Sequence, residues 1–215
     1  MITLATGIPA LVEPAKGPNR RGGLVVAQEI FGLNDNIRAL CSRFAGDGFD
    51  VVAPAYFDRI ESGFTAPYDQ DGIQKGLAAV KATSWEQVTA DTQAAIDLLR
   101  QSGSRIFVTG FCWGGTVAWV AACRCAGVTA ASSFYGRMIN MFLAETPQAP
   151  IELHYGDHDP GIPLTMVDEV RAAHPQIPVH LYPAGHGFFS DRGHDFDPTQ
   201  ADIAWARTLD LFGRS

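Results

Sequence analysis

Between Arg105 and Arg124 the chain carries no charged residue, and this run constrains the fold more than any other feature. Its length approaches that of a membrane-spanning helix. Gly110, Gly114 and Gly115 interrupt it, with β-formers before them (Ile106, Phe107, Val108) and a helical pattern after them. Glycine supplies the backbone freedom of a tight turn and weakens a helix interior. The run therefore reads as a buried strand, a turn and a buried helix. Elements without charge on any face need cover on every side, which a sheet with helices on both faces provides.

The rest of the chain repeats this alternation. Runs rich in β-branched residues recur at 24–28, 50–54, 105–109, 129–134, 150–154 and 177–182, most of them too apolar for a solvated face. Between them, Ile37, Leu40, Cys41, Phe44 and Ala45 keep the spacing of one helix face, with Asn34, Asp35 or Asn36 available as its cap. A second helix is expected from Val88, Thr92, Ala95, Ile96 and Leu99. A third follows from Leu164, Val167 and Val170, and a last from Ile203, Trp205, Leu209 and Phe212. This order specifies a single α/β domain over residues 1–215, with a mostly parallel sheet and a ligand crevice at the carboxyl ends of its strands. Segment 56–85, punctuated by Gly63, Pro67, Gly72 and Gly76, fits the alternation least and is expected to be an excursion over the site.

With 47% apolar and 18% charged residues the chain has material for a core. Sixteen Lys and Arg against twenty-three Asp and Glu leave a net charge of −7, which opposes attraction to nucleic acid or anionic lipid. From Met1 to Pro14 no basic start leads into an apolar stretch, so a cytoplasmic location is expected. Cys41, Cys112, Cys123 and Cys125 form neither a Cys-x-x-Cys pair nor a dense disulfide framework, and reduced thiols are expected. No metal or organic cofactor is implied.

One cysteine is placed unlike the others. Gly110-Phe111-Cys112-Trp113-Gly114 follows strand 105–109 directly and leads into helix 115–123, the setting of a nucleophile elbow in the α/β-hydrolase fold. There the nucleophile is followed in the chain by an acid and then a histidine, each after a late strand. Asp157 and Asp159, in the loop after strand 150–154, compete for the acid. His186, between Gly185 and Gly187 after strand 177–182, is the base. His154, His158, His174, His180 and His194 lack that placement, and Asp191, Asp195 and Asp197 read as solvated loop charges. Attack by the thiolate on an acyl carbonyl would give a thioester that water hydrolyses. The backbone N–H groups of Trp113 and, by position, Ile30 would form the oxyanion hole.

Gln28-Glu29-Ile30-Phe31-Gly32-Leu33-Asn34, the elbow, Gly156-Asp157-His158-Asp159 ahead of Pro163, and Ala184-Gly185-His186-Gly187-Phe188 together resemble the dienelactone hydrolase (carboxymethylenebutenolidase) family, from about Gly23 to the C-terminus. The resemblance implies hydrolysis of a small lactone or ester without a cofactor, and assigns the acid to Asp159, four residues before the proline. It also gives Glu29 a role: in this family the equivalent glutamate contacts the resting thiol, and its displacement by substrate lets the cysteine ionise. Phe31, Tyr56, Phe188 and Arg192 are expected to meet the substrate. Family members that act on dienelactone bind its carboxylate with arginines, one of them four residues beyond the histidine, where this chain has Ser190. Arg192 is displaced from that position, and Lys75 and Lys81 are the nearest cations in the excursion. The same residues would also serve a thioesterase or another acyl hydrolase, or survive in a non-catalytic protein that binds small lactones.

Overall fold

A computed structural model describes residues 1–103 and 105–215. Among the described residues one sheet contains β1 (Ile2–Thr3), β2 (Pro9–Glu13), β3 (Gly22–Ala27), β4 (Phe49–Pro54), β5 (Ile106–Phe111), β6 (Ala130–Phe134), β7 (Ile151–Gly156) and β8 (Val179–Tyr182). Their spatial order is β1-β2-β4-β3-β5-β6-β7-β8. β2 pairs antiparallel with β1 and β4, and all other neighbours are parallel. The six expected strands are β3 to β8. β1 and β2, outside the six expected strands, extend the sheet at one edge, β1 being two residues long and β2 starting on a proline.

The helices are α1 (Asp35–Gly46), α2 (Gln70–Ala82), α3 (Trp85–Arg100), α4 (Trp113–Arg124), α5 (Leu164–Ala173) and α6 (Pro198–Arg214). α1 starts where Asn34 accepts the N–H of Ile37 (3.1 Å) and buries the face that runs from Ile37 to Ala45. α4, buried from Trp113 to Ala122, lies against β5 and β6, so the uncharged run is covered by the sheet rather than by lipid. No helix among the described residues is long and apolar enough to cross a membrane. Ile203 and Leu164 are exposed. α6 instead buries Ala201, Ala204, Trp205, Thr208, Leu211 and Phe212, and Asp197 caps it by accepting the N–H of Gln200 (3.0 Å).

The excursion is docked. α2 turns Gly72, Gly76 and Ala79 inward, and a Cβ on Gly76 would come within 2.5 Å of the Ile30 carbonyl oxygen. Gly32 bridges to Thr65, and the N–H of Ala66 donates to the Phe31 carbonyl (3.1 Å). The loop after β3 is thus held from above by the segment that follows β4.

β3 and β5 are neighbours, but the chain leaves β3 towards β4 on one side and leaves β5 towards β6 on the other. That reversal opens a crevice at the carboxyl ends of the two central strands. Glu29 follows β3 and Cys112 follows β5, on either side of it.

Candidate active site

The elbow is strained at its centre: Cys112 has φ 56° and ψ −116°. Such backbone is uncommon for any residue with a side chain. Its glycines permit the turn, since a Cβ on Gly110 would meet the Gly114 carbonyl oxygen at 2.0 Å and one on Gly114 the Ala27 carbonyl oxygen at 2.3 Å. The Cys112 N–H donates to the Phe134 carbonyl (3.0 Å), which ties the turn to β6.

His186 Nε2 lies 3.4 Å from Cys112 Sγ, and His186 Nδ1 lies 2.6 Å from Asp159 Oδ2. A carboxylate oxygen accepts, so Nδ1 carries a proton and Nε2 is the ring nitrogen that faces the thiol. Asp159 is buried, and its Oδ1 accepts the N–H groups of Gly161 (2.7 Å) and Ile162 (3.1 Å). Burial disfavours the His186 cation, but the Cys112 and Asp159 charges and hydrogen bonds outweigh it and raise the imidazole pKa well above the usual range. Asp157 points elsewhere, 3.5 Å from His158 at the surface.

Across the crevice Glu29 is buried, accepting from the Tyr68 hydroxyl and from Asn36 Nδ2 (3.2 Å). Burial raises its pKa, while Tyr68, Asn36 and His186 act against the rise. Tyr68 also accepts from Asn34 Nδ2 (3.1 Å) and, more weakly, from Ser190 Oγ (3.5 Å). Burial and then the Glu29 charge push its phenol up. The N–H of Trp113 stands at the first residue of α4, where no carbonyl one turn earlier takes it. Ile30 follows Glu29 in the loop that α2 supports. Among the described residues no group of three or more His, Cys, Asp and Glu is placed to hold a metal ion.

Residues 8–215 match the model of the dienelactone hydrolase family. The chain belongs to this family. It is 30% identical to carboxymethylenebutenolidase of Pseudomonas putida over 208 residues, covering 92% of this chain and 87% of that protein. A Salmonella typhimurium protein provisionally assigned the same activity is 31% identical over 209 residues, 89% of this chain and 76% of its own. A Klebsiella pneumoniae crystal structure, provisionally assigned as a dienelactone hydrolase, superposes with a TM-score of 0.82 at 26% identity, covering 97% of this chain and 94% of that one. This dienelactone hydrolase family member is therefore a hydrolase with the α/β-hydrolase fold.

In this family member, several expected contacts differ. Glu29 was expected against the thiol, but its hydrogen-bond partners among the described residues are Tyr68 and Asn36, while Sγ faces His186. Phe31 lies at the crevice, partly exposed, with its ring 4.2 Å from that of Tyr68. Tyr56 and Phe188 offer no surface to a substrate. Tyr56 is buried beneath the elbow, hydrogen-bonded to Thr92 Oγ1 (2.9 Å) and edge-on to Trp113. Phe188 is buried between Tyr135 and Tyr182. Arg192 is exposed and paired with Asp191 (3.2 Å).

Tyr68 and Tyr135 stand at the site without having been singled out in the sequence, and Asn36, offered there only as a helix cap, instead donates to Glu29. Asn36 carried a readable signal: it precedes Leu40 by four residues and so lies on the apolar face of α1, where a polar side chain needs a buried partner. Tyr68 carried none, because nothing in the glycine- and proline-punctuated excursion relates it to Glu29.

Proposed function

We propose that this enzyme hydrolyses small lactones or esters with Cys112 as nucleophile, His186 as base and then acid, and Asp159 as the carboxylate that orients it. The observation that carries this reading is the continuous contact from Cys112 Sγ to His186 Nε2 (3.4 Å) and from His186 Nδ1 to Asp159 (2.6 Å). The thiol proton passes to Nε2, and the thiolate attacks the acyl carbon. Charge on the carbonyl oxygen is met by the N–H groups of Trp113 and Ile30. Collapse breaks the acyl–oxygen bond, and the leaving alkoxide takes the proton from Nε2. In a lactone the alcohol stays tethered to the acyl group. Water then gives a proton to Nε2 and attacks the thioester, and the sulfur leaves and regains its proton.

Among the described residues, the polar partners around Glu29 and Tyr68 are Asn36, Asn34 and Ser190, with no Lys or Arg. Lys75 is held by Glu61 and the Thr65 carbonyl (both 3.0 Å) and lies over the Phe64 ring. A substrate carboxylate would lose its water without gaining a charged partner. The reading therefore extends to neutral lactones and esters as substrates. A panel of dienelactones, neutral lactones, aryl esters and thioesters, run with the wild type and with Cys112→Ala, tests it. Hydrolysis by the variant at the wild-type rate would contradict the assignment.

A further inference from the structure

β5 and β6 run parallel with Phe111 opposite Phe134, so the next residues in register are Cys112 and Tyr135. Both turn into left-handed backbone, with φ 56° and 40°, and they are the two non-glycine residues with positive φ among those described. For a residue as large as tyrosine that conformation is a true outlier, and outliers of this kind persist where the surroundings enforce them. Here the Tyr135 N–H donates to the His154 carbonyl (2.7 Å), and Gly136 packs onto the backbone of Gly115.

The side chain is a second outlier. Tyr135 is fully buried, its ring centroid 5.0 Å from that of His186 and edge-on to Phe188. Its hydroxyl has no hydrogen-bond partner among the described residues. Phenylalanine would fill the same space without stranding a polar atom, so packing accounts for the ring but not for the oxygen. The titratable groups that face it come from five segments. They are Cys112 in the elbow, His186 after β8, Asp159 after β7, Glu29 after β3 and Tyr68 ahead of α2. Burial first, then Glu29, Cys112, Tyr68 and Asp159, hold the phenol protonated, with a pKa well above 10. It is therefore a constant donor, one register step across from Cys112 and with its ring against His186.

We propose that the Tyr135 hydroxyl donates a hydrogen bond to the Cys112 thiolate, formed when His186 Nε2 takes the thiol proton. The Sγ–H bond breaks, the Nε2–H bond forms, and Tyr135 keeps its own proton throughout. The proposal rests on the reading of Cys112 as nucleophile.

Tyr135→Phe tests it, with three measurements on the full chain. Alkylation of Cys112 by iodoacetamide is followed against pH by peptide mass spectrometry, and its midpoint is expected to rise by about one pH unit, the tenfold loss of thiolate that one donor accounts for. With a neutral aryl ester kcat is expected to fall about tenfold at unchanged KM. The melting temperature is expected to hold or rise by roughly 2–4 °C, because an unpaired hydroxyl has left the core. Should the variant melt higher while its alkylation profile and kcat superpose on those of the wild type, the hydroxyl has no part in the chemistry and the proposal fails. An effect on KM alone would also overturn it. Failure of the underlying reading would look different: Cys112→Ala would keep its turnover and alkylation would leave the wild type active.

Discussion

Asp159 Oδ2 lies 2.6 Å from His186 Nδ1, whereas Asp157, two residues earlier in the same loop, lies at the surface beside His158. One peptide segment thus presents two carboxylates and buries only one of them against the imidazole. His186→Ala and Asp159→Asn are each expected to lower kcat by at least about a hundredfold, the loss typical of a missing base or a misoriented one. Asp157→Asn is expected to stay within a few-fold of wild type. Steady-state kinetics of the three variants decide this, and the reverse order for the two aspartates would move the acid.

Gly76 of α2 is expected to be intolerant of alanine for a reason opposite to helix propensity. In an exposed helix the change would stabilise by about 1 kcal/mol, but here the new methyl would meet the Ile30 carbonyl oxygen at 2.5 Å. The helix or the loop carrying Ile30 must then shift. Gly76→Ala is expected to destabilise by roughly 1–3 kcal/mol and to lower kcat more than it raises KM. Denaturant melts with kinetics on one ester check both signs, and a more stable, fully active variant would show that α2 does not brace Ile30.

The parallel core was legible because β3, β5, β6 and β7 are buried along almost their whole length, and long apolar runs survive any choice of partner. The elbow was legible because Gly110 and Gly114 are fixed by contacts a few residues away or on the adjoining strand. α2 was not. Its buried face is two glycines and an alanine, residues that read as loop punctuation in sequence and become a close-packing surface only when Ile30 lies beneath them. Tyr56 and Phe188 failed for a related reason: an aromatic residue near a site reads the same whether it faces the substrate or supports the residues that do.

A buried glutamate held by two histidines makes stability depend on acid. Glu152 accepts from His154 (3.2 Å) and His180 (3.4 Å). Burial alone would raise its pKa, but the hydrogen bonds and charges of the two histidines prevail and lower it from 4.5 to about 2. A carboxylate depressed in the folded state contributes stability that is fully present above the unfolded value and is lost as pH falls through the folded one. Stability is therefore expected to drop between about pH 4.5 and 2, by on the order of 2–3 kcal/mol from this group. Denaturant unfolding at several pH values should show a shallower drop in Glu152→Gln, and an unchanged slope would remove Glu152 as its source.

The resemblance to dienelactone hydrolases leads to an expectation about substrate charge. With Ser190 beside Tyr68 and Arg192 paired to Asp191, a charge-assisted contact of roughly 1.5–3 kcal/mol is missing. The kcat/KM for a lactone acid is expected not to exceed that for its methyl ester. A strong preference for the acid that disappears in Arg192→Ala would show that the displaced arginine had taken over.

The central claim is that acyl transfer passes through the sulfur of Cys112. Rapid-quench mass spectrometry of the enzyme mixed with a slowly deacylating aryl ester tests it most directly. The account predicts a transient mass increase equal to the acyl group, located to the peptide containing Cys112 and absent in Cys112→Ala, which is also inactive. An acyl group found on another residue, or turnover by Cys112→Ala at the wild-type rate, would contradict it.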